Sequence, residues 1–330
     1  MRKVPFSFEL HPARSEHIAK QLPDRIARLV AAGPEFVSVT YGAGGSSQDA
    51  SLDVLKHVIE NHPGVRTMAH LTCVGSTVQH AHETVRTFMD AGVHSFLAVR
   101  GDLPVGAPED AFPGDIRTAA ELVQLIHAVQ NERRPWREVA VPGTPGITVD
   151  RDGRERAAIA VAAFPNGHPS SRSWQQDIDT LLAKQAAGAN LAICQMIFHA
   201  EDYFRMVDAA RAAGVELPIL PAITPVTTPA GLARNLELSG EQAPADFAVA
   251  LEVEPTEAGR REIGIDFAAK LTERLIEGGA PGIHLYTRNM HEVPLAVLAR
   301  VGLIDDARYA QLIAPEFTSE AQAIVGEPAS

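Results

Sequence analysis

The chain of 330 residues is 45% hydrophobic and 21% charged, with a formal net charge of −12. That supplies enough apolar material for a sizeable core and a surface too acidic to displace counterions from a nucleic acid. No apolar run reaches the span of a bilayer, the N-terminus passes straight into strand-like alternation without a signal-peptide core, and Cys73 and Cys194 lack metal-ligand spacing. The expectation is a cytoplasmic protein of a reducing compartment, with no disulfide framework, metal centre, nucleic-acid partner or membrane partner.

Taken in chain order, strand-length apolar runs fall at 5–10, 35–41, 66–73, 95–101, 158–164, 191–196, 217–224 and 282–287. Helical periodicity fills 15–31, 47–60, 77–91, 117–130, 174–187, 202–213 and 258–277. Gly33, Gly92, Gly188 and Gly214 follow four of these segments, as left-handed caps do. Eight strands alternating with helices predict a parallel sheet closed into a (β/α)8 TIM barrel, with residues 1–330 as a single domain. The interval 131–157 carries two short β-prone runs about a Pro/Gly turn and predicts an extra hairpin inserted before strand five. One or two further helices are expected within 225–257, and fraying in the small-residue tail 315–330. An open doubly wound sheet would need a Gly-rich turn after its first strand, where this chain has His11-Pro12-Ala13-Arg14.

Barrel enzymes carry their chemistry at the carboxyl ends of the strands, and strand alternation separates inward from helix-facing groups. In the first strand Phe6, Phe8 and Leu10 share one face and belong against the helices, which turns Glu9 into the mouth. The same reading groups Ser38 with Thr40, His70 with Thr72, Arg100 with Asp102, and Ile193 with Gln195. A buried carboxylate needs a partner, a proton or a function. Glu9 is therefore either salt-bridged to an inward Arg100 or a working acid. The residues alone describe an acid-bearing pocket for a polar, partly anionic ligand, suited to an oxidoreductase or a lyase.

The strand ends also resemble, in order, those of the methylenetetrahydrofolate reductase family, in its flavin-dependent bacterial type. The resemblance rests on Ser7-Phe8-Glu9, on Phe36-Val37-Ser38-Val39-Thr40-Tyr41-Gly42-Ala43, on Ala69-His70-Leu71-Thr72-Cys73 and on Arg100-Gly101-Asp102-Leu103-Pro104. It continues through Phe164-Pro165-Asn166-Gly167-His168-Pro169, Gly188-Ala189-Asn190 leading to Gln195 and Phe198, and His284-Leu285-Tyr286-Thr287.

This resemblance implies reduction of 5,10-methylenetetrahydrofolate to 5-methyltetrahydrofolate, which supplies methyl groups for methionine synthesis. NADH or NADPH would be the electron donor, FAD the bound carrier, and both substrates would use one site in ping-pong fashion. Glu9 is expected to be the general acid that opens the folate ring, with its pKa raised by its apolar neighbours. Asp102 would favour the cationic folate intermediate from beside the flavin. Carried over by position, Thr40, Tyr41, Ala43, His70, Arg100, Gly101, Asp102, Phe164 and His168 would line the flavin. Asp177, Thr180 and Lys184, at helical spacings of three and four, would hold its ribose and diphosphate. Gln195 and Arg288 would contact the folate, and a homo-oligomer is expected.

Three positions depart from the family pattern. Ala183 stands where an arginine often flanks the diphosphate lysine, Met290 where the folate-binding arginine aligns, and Gly231 where a glutamine is expected. These departures leave two other readings open. One is a flavin-free folate-binding or methyl-transfer barrel; the other is a flavin barrel of the proline-oxidising type.

Overall fold

The computed structural model describes residues 4–41, 48–101, 114–133, 140–141, 144–148, 157–169 and 171–317. Eight parallel strands close into a barrel in the order β1-β10-β9-β8-β7-β4-β3-β2. They are β1 (Phe6–Leu10), β2 (Phe36–Val39), β3 (Arg66–Thr72), β4 (Ser95–Val99), β7 (Ala158–Ala163), β8 (Leu191–Met196), β9 (Ile219–Ile223) and β10 (Ile283–Tyr286). The remaining pair, β5 (Ala140–Val141) and β6 (Thr144–Thr148), forms the antiparallel hairpin expected before the fifth barrel strand.

Seven helices fall where the periodicity places them: α1 (Glu16–Ala31), α2 (Gln48–Asn61), α3 (Val78–Asp90), α4 (Ala119–Glu132), α5 (Trp174–Ala186), α6 (Ala200–Ala212) and α9 (Glu257–Glu277). Their starts are set by side-chain caps. Ser15, Thr77, Ser173 and Thr256 each accept a first-turn amide, and Thr118 with Glu121 completes a capping box on α4. The interval after β9 holds two extra helices, α7 (Pro229–Ser239) and α8 (Ala245–Val253). Two more, α10 (Glu292–Arg300) and α11 (Asp306–Ile313), follow β10. Of the expected frayed tail, Phe317 packs beneath the Arg28 guanidinium at 4.9 Å, and the residues from 318 lie outside those described.

Two apolar layers follow from the alternation. Phe6, Phe8 and Leu10 join the large core between barrel and helices. Phe36, Met68, Leu97, Ala160, Ile193, Leu220 and Ala222 fill the barrel itself. This inner plug floors the mouth, so the polar groups one step further along each strand are lifted to its carboxyl end. Strand β4 turns Leu97 and Val99 inward. Arg100 lies just beyond the end of this strand, and the side chains that meet Glu9 come instead from His11, Thr40, His70 and His284.

Candidate active site

Glu9 sits one residue from the end of β1, 6% exposed, paired in register with Ser38 of β2 and Tyr286 of β10. Its apolar sequence neighbours point away, and what meets the carboxylate is a ring of polar groups. Thr40 Oγ1 lies 3.2 Å from Oε1, and His11 Nε2 lies 3.5 Å from the same oxygen. From β3, two strands away, and from the adjacent β10, His70 Nε2 and His284 Nε2 approach Oε2 at 3.8 and 3.9 Å.

The expectation of a raised Glu9 pKa is overturned by this arrangement. Burial does push the carboxyl upward, but the His284, His70 and His11 imidazoles outweigh it and hold the group down at about 2. The error lay in taking Phe8 and Leu10 as the environment, when alternation sends both to the helix side. Burial also pushes His70 down, to about 4, and lowers His11, each against the pull of Glu9. At neutral pH the ligand-free site therefore holds a Glu9 carboxylate beside neutral His70 and His11.

The cluster is braced from behind. Ser7 Oγ bonds His284 Nδ1 at 2.8 Å, and the His284 ring stacks on Phe36 at 5.9 Å. Tyr286 stays neutral, its pKa raised well above the ordinary value by burial with Glu9 nearby. After β10 the chain adopts two successive left-handed residues, Arg288 (φ 51) and Asn289 (φ 58). Asn289 thereby presents its amide to the His11 peptide, accepting from His11 N at 2.8 Å and donating to His11 O at 2.7 Å. Thr287 Oγ1 donates to Glu9 O at 2.7 Å. His70 Nε2, His284 Nε2 and Ser38 Oγ are buried without a hydrogen-bond partner among the described residues.

A second group of functional side chains lies beyond β7 and on α5. Lys184 is 8% exposed; its Nζ donates to Ala162 O at 2.8 Å and lies 5.9 Å from the Phe164 ring centre, which meets His168 edge-on. Burial pushes this ammonium down to about 8, against the pull of Asp177. Asp177 Oδ1 accepts from Ser171 Oγ at 2.9 Å, whereas its buried Oδ2 has no hydrogen-bond partner among the described residues. Thr180 is on the exposed side of the same helix, its hydroxyl donating to Gln176 O. Between the two groups stands Gly101 at φ +84, where a Cβ would lie 2.7 Å from Val74 Cγ1; only glycine fits. Tyr41 packs its ring edge-on against Phe88 of α3, on the helix side of β2. Asp102 and Ala43 lie outside the described residues.

A family model for methylenetetrahydrofolate reductase matches residues 1–302. This chain belongs to the methylenetetrahydrofolate reductase family. It is 31% identical over 302 residues to the 5,10-methylenetetrahydrofolate reductase of Salmonella typhimurium, covering 91% of this chain and 92% of that protein. Against the protein of the same name from Escherichia coli the identity is 30%, with the same coverage. It is also 29% identical to methylenetetrahydrofolate reductase (NADH) 1 of Arabidopsis thaliana over 93% of this chain, but spans only 50% of that plant protein. Among solved structures, a Clostridium thermocellum protein that binds two copies of 5-methyl-5,6,7,8-tetrahydrofolic acid superposes with a TM-score of 0.61. It is 11% identical and covers 93% of this chain and 96% of its own, a likeness of fold.

Of the three positions that depart from the family pattern, Ala183 lies beside Lys184 on α5, whereas Gly231 and Met290 lie on α7 and beyond β10. Arg288 hydrogen-bonds Asn235 of α7, and Met290 is 41% exposed with its Sδ against Arg25. With Thr228 and Gly231 they line a cavity of about 150 Å3. Gln195 lies at an irregularity of β8, where Ile193 pairs with Leu220 but Met196 pairs with Ala222. One residue too many on the β8 side makes this a bulge, and bulges re-aim side chains beside active sites.

Sequence reasoning missed His11, Asn235, Asn289 and the approach of His284 to Glu9. Alternation applied to β10 would have found His284 and Tyr286, both inward like Glu9. No local signal marks His11 or Asn289, which are joined by hydrogen bonds across 278 positions of sequence.

Proposed function

We propose that this chain reduces 5,10-methylenetetrahydrofolate to 5-methyltetrahydrofolate with electrons from NADH or NADPH passed through FAD. The observation that carries the reading, within a chain of this family, is the buried Glu9 carboxylate at the barrel mouth, ringed by proton-exchanging groups. Lys184, buried beside an unpartnered Asp177 oxygen, fits a diphosphate and its ribose hydroxyls. Thr40, Ala43, His70, Arg100, Gly101, Asp102, Phe164 and His168 would complete the FAD site, with Thr180 at its outer edge, while Tyr41 packs on the helix side. When bound, the flavin supplies a two-electron carrier between nicotinamide and folate.

The chain's own residues handle the proton. Glu9, once protonated, donates to the folate amine nitrogen as the five-membered ring opens, and Asp102 favours the cation so formed. His70 and His284 keep the carboxylate from being stranded after it gives the proton up. Gln195 orients the pterin-like ring, and Arg288, anchored on Asn235, faces the polar tail of the folate. The activity belongs in the cytoplasm, in a homo-oligomer, where it would feed methyl groups to methionine synthesis.

The test is a visible spectrum of the purified protein before and after anaerobic NADH or NADPH. Flavin bands that bleach with one nucleotide and return on adding methylenetetrahydrofolate establish the reaction and name the donor. A protein that stays colourless after FAD is supplied refutes it.

A further inference from the structure

Reduction of the folate consumes one proton in each turnover, yet Glu9 is ionised at rest, so the acid has to be loaded before it can act. Its three imidazole neighbours differ in their access to water. The His284 side chain is 0% exposed and that of His70 9%, whereas that of His11 is 27% exposed. They also differ in which oxygen they face: His70 and His284 approach Oε2, and His11 approaches Oε1. His11 is held for this contact at three points, by Thr40 Oγ1 on its Nδ1 at 2.8 Å and by Asn289 on both its backbone N and O.

We propose that His11 is a positioning residue that loads Glu9, passing a solvent proton from its Nε2 to Oε1 of the carboxylate. The inference rests on the reading of Glu9 as the folate acid. His11 first captures a proton from water and becomes an imidazolium. The Nε2–H bond then breaks as an O–H bond forms on Oε1, leaving a neutral His11 with its hydrogen on Nδ1 facing Thr40, and Glu9 as a carboxylic acid. No electron leaves either group, and a charge pair becomes two neutral groups. Expulsion of water by an arriving folate favours that exchange, because separated charges are costlier than neutral groups in a dry site. Substrate binding thus arms the acid. The charged and titratable groups facing His11 are Glu9 of β1, Arg14 of the loop that follows it, His70 of β3 and Arg288 beyond β10.

The experiment compares His11→Gln, His11→Ala and Glu9→Gln in the flavin-loaded enzyme, each half-reaction followed by stopped flow between about pH 6 and 8.5. Both His11 variants are expected to slow reoxidation by methylenetetrahydrofolate by about 10-fold or more, increasingly as pH rises, with reduction by nicotinamide within about two-fold of wild type. Added imidazole restores part of the rate in His11→Ala and none in Glu9→Gln. Independently of turnover, the NMR titration midpoint of the His11 ring falls in Glu9→Gln, because the carboxylate no longer favours the imidazolium. Wild-type reoxidation in both His11 variants, with Glu9→Gln inactive, overturns the proposal and leaves Glu9 as the acid. Equal slowing of both half-reactions without imidazole rescue reduces His11 to a structural part and also overturns it. Unimpaired Glu9→Gln overturns the underlying reading of the site.

Discussion

On the β1 side of the mouth a negative charge is enclosed by groups from four strands and their loops, and burial has driven neighbouring His70 and His11 towards neutrality. On the β7–α5 side a positive charge is buried with a main-chain carbonyl for its hydrogen bond and an aspartate whose second oxygen is unpartnered. The first wall leaves His70 Nε2, His284 Nε2 and Ser38 Oγ without hydrogen-bond partners among the described residues, all around a carboxylate. The second leaves one carboxylate oxygen, Asp177 Oδ2, without a hydrogen-bond partner among the described residues beside a buried ammonium, so the two walls differ in the sign of the charge they enclose. On the proposed reading the first wall handles the proton and the second holds the cofactor, and single substitutions should damage one without the other.

The largest effect is expected from Glu9→Gln, which should lower the folate half-reaction by about 10²–10⁴-fold while leaving nicotinamide-driven bleaching of the flavin intact; rapid-mixing absorbance separates the two. Comparable losses in both steps would show that the walls are not independent. Next comes Lys184→Met, which removes the ammonium and keeps the apolar stem. Flavin affinity, measured by fluorescence titration, should fall about 10–100-fold, corresponding to one charge-assisted contact, with little change in urea stability. A smaller change is expected from Ser7→Ala, which strips His284 Nδ1 of its buried partner. About 1–3 kcal/mol of stability should be lost in urea titration, with flavin affinity unchanged.

The smallest effect is a slope in stability against pH. Glu9 has a folded pKa of about 2 against an ordinary 4.5, and His70 about 4 against 6.5. In both cases the unfolded chain binds the proton more readily. Their contributions are therefore present above the ordinary values and are lost as pH falls, that of His70 from 6.5 towards 4 and that of Glu9 from 4.5 towards 2. Stability of the flavin-free protein should rise by on the order of 1–3 kcal/mol across this range, and Glu9→Gln should flatten its acid end. A slope of opposite sign would mean that the imidazoles are buried charged.

The barrel was legible from hydrophobic period and turn chemistry, because the two-faced strands and amphipathic helices impose that pattern independently of the site. Strand 191–196 was read to its end residues, yet the bulge within it was not, since an extra residue leaves the apolar count unchanged. Glu9 and His70 were legible as inward polar groups. The protonation of Glu9 was not, because it is set by His284 and His11, one on the last strand and the other beyond the first, and alternation in β1 says nothing of either. Arg100 illustrates the converse. It was aligned with Asp102 within one strand, but the strand ends at Val99 with Leu97 and Val99 facing the interior.

The seam between β1 and β10 joins residues as far apart as Ser7 and His284, and the bonds from Thr287 and Asn289 to Glu9 and His11 lie on it. Such long-range pairing is entropically the most expensive contact in the chain and is expected late in folding. Glu9 therefore acquires its lowered pKa only when β1 and β10 meet, after much of the helix content has formed. In a refolding time course, helical signal should recover before the site does, and catalysis becomes a reporter of barrel closure. A nascent or truncated chain that lacks β10 still lacks the imidazole of His284 beside Glu9, so the strand that closes the barrel completes the surroundings of the first.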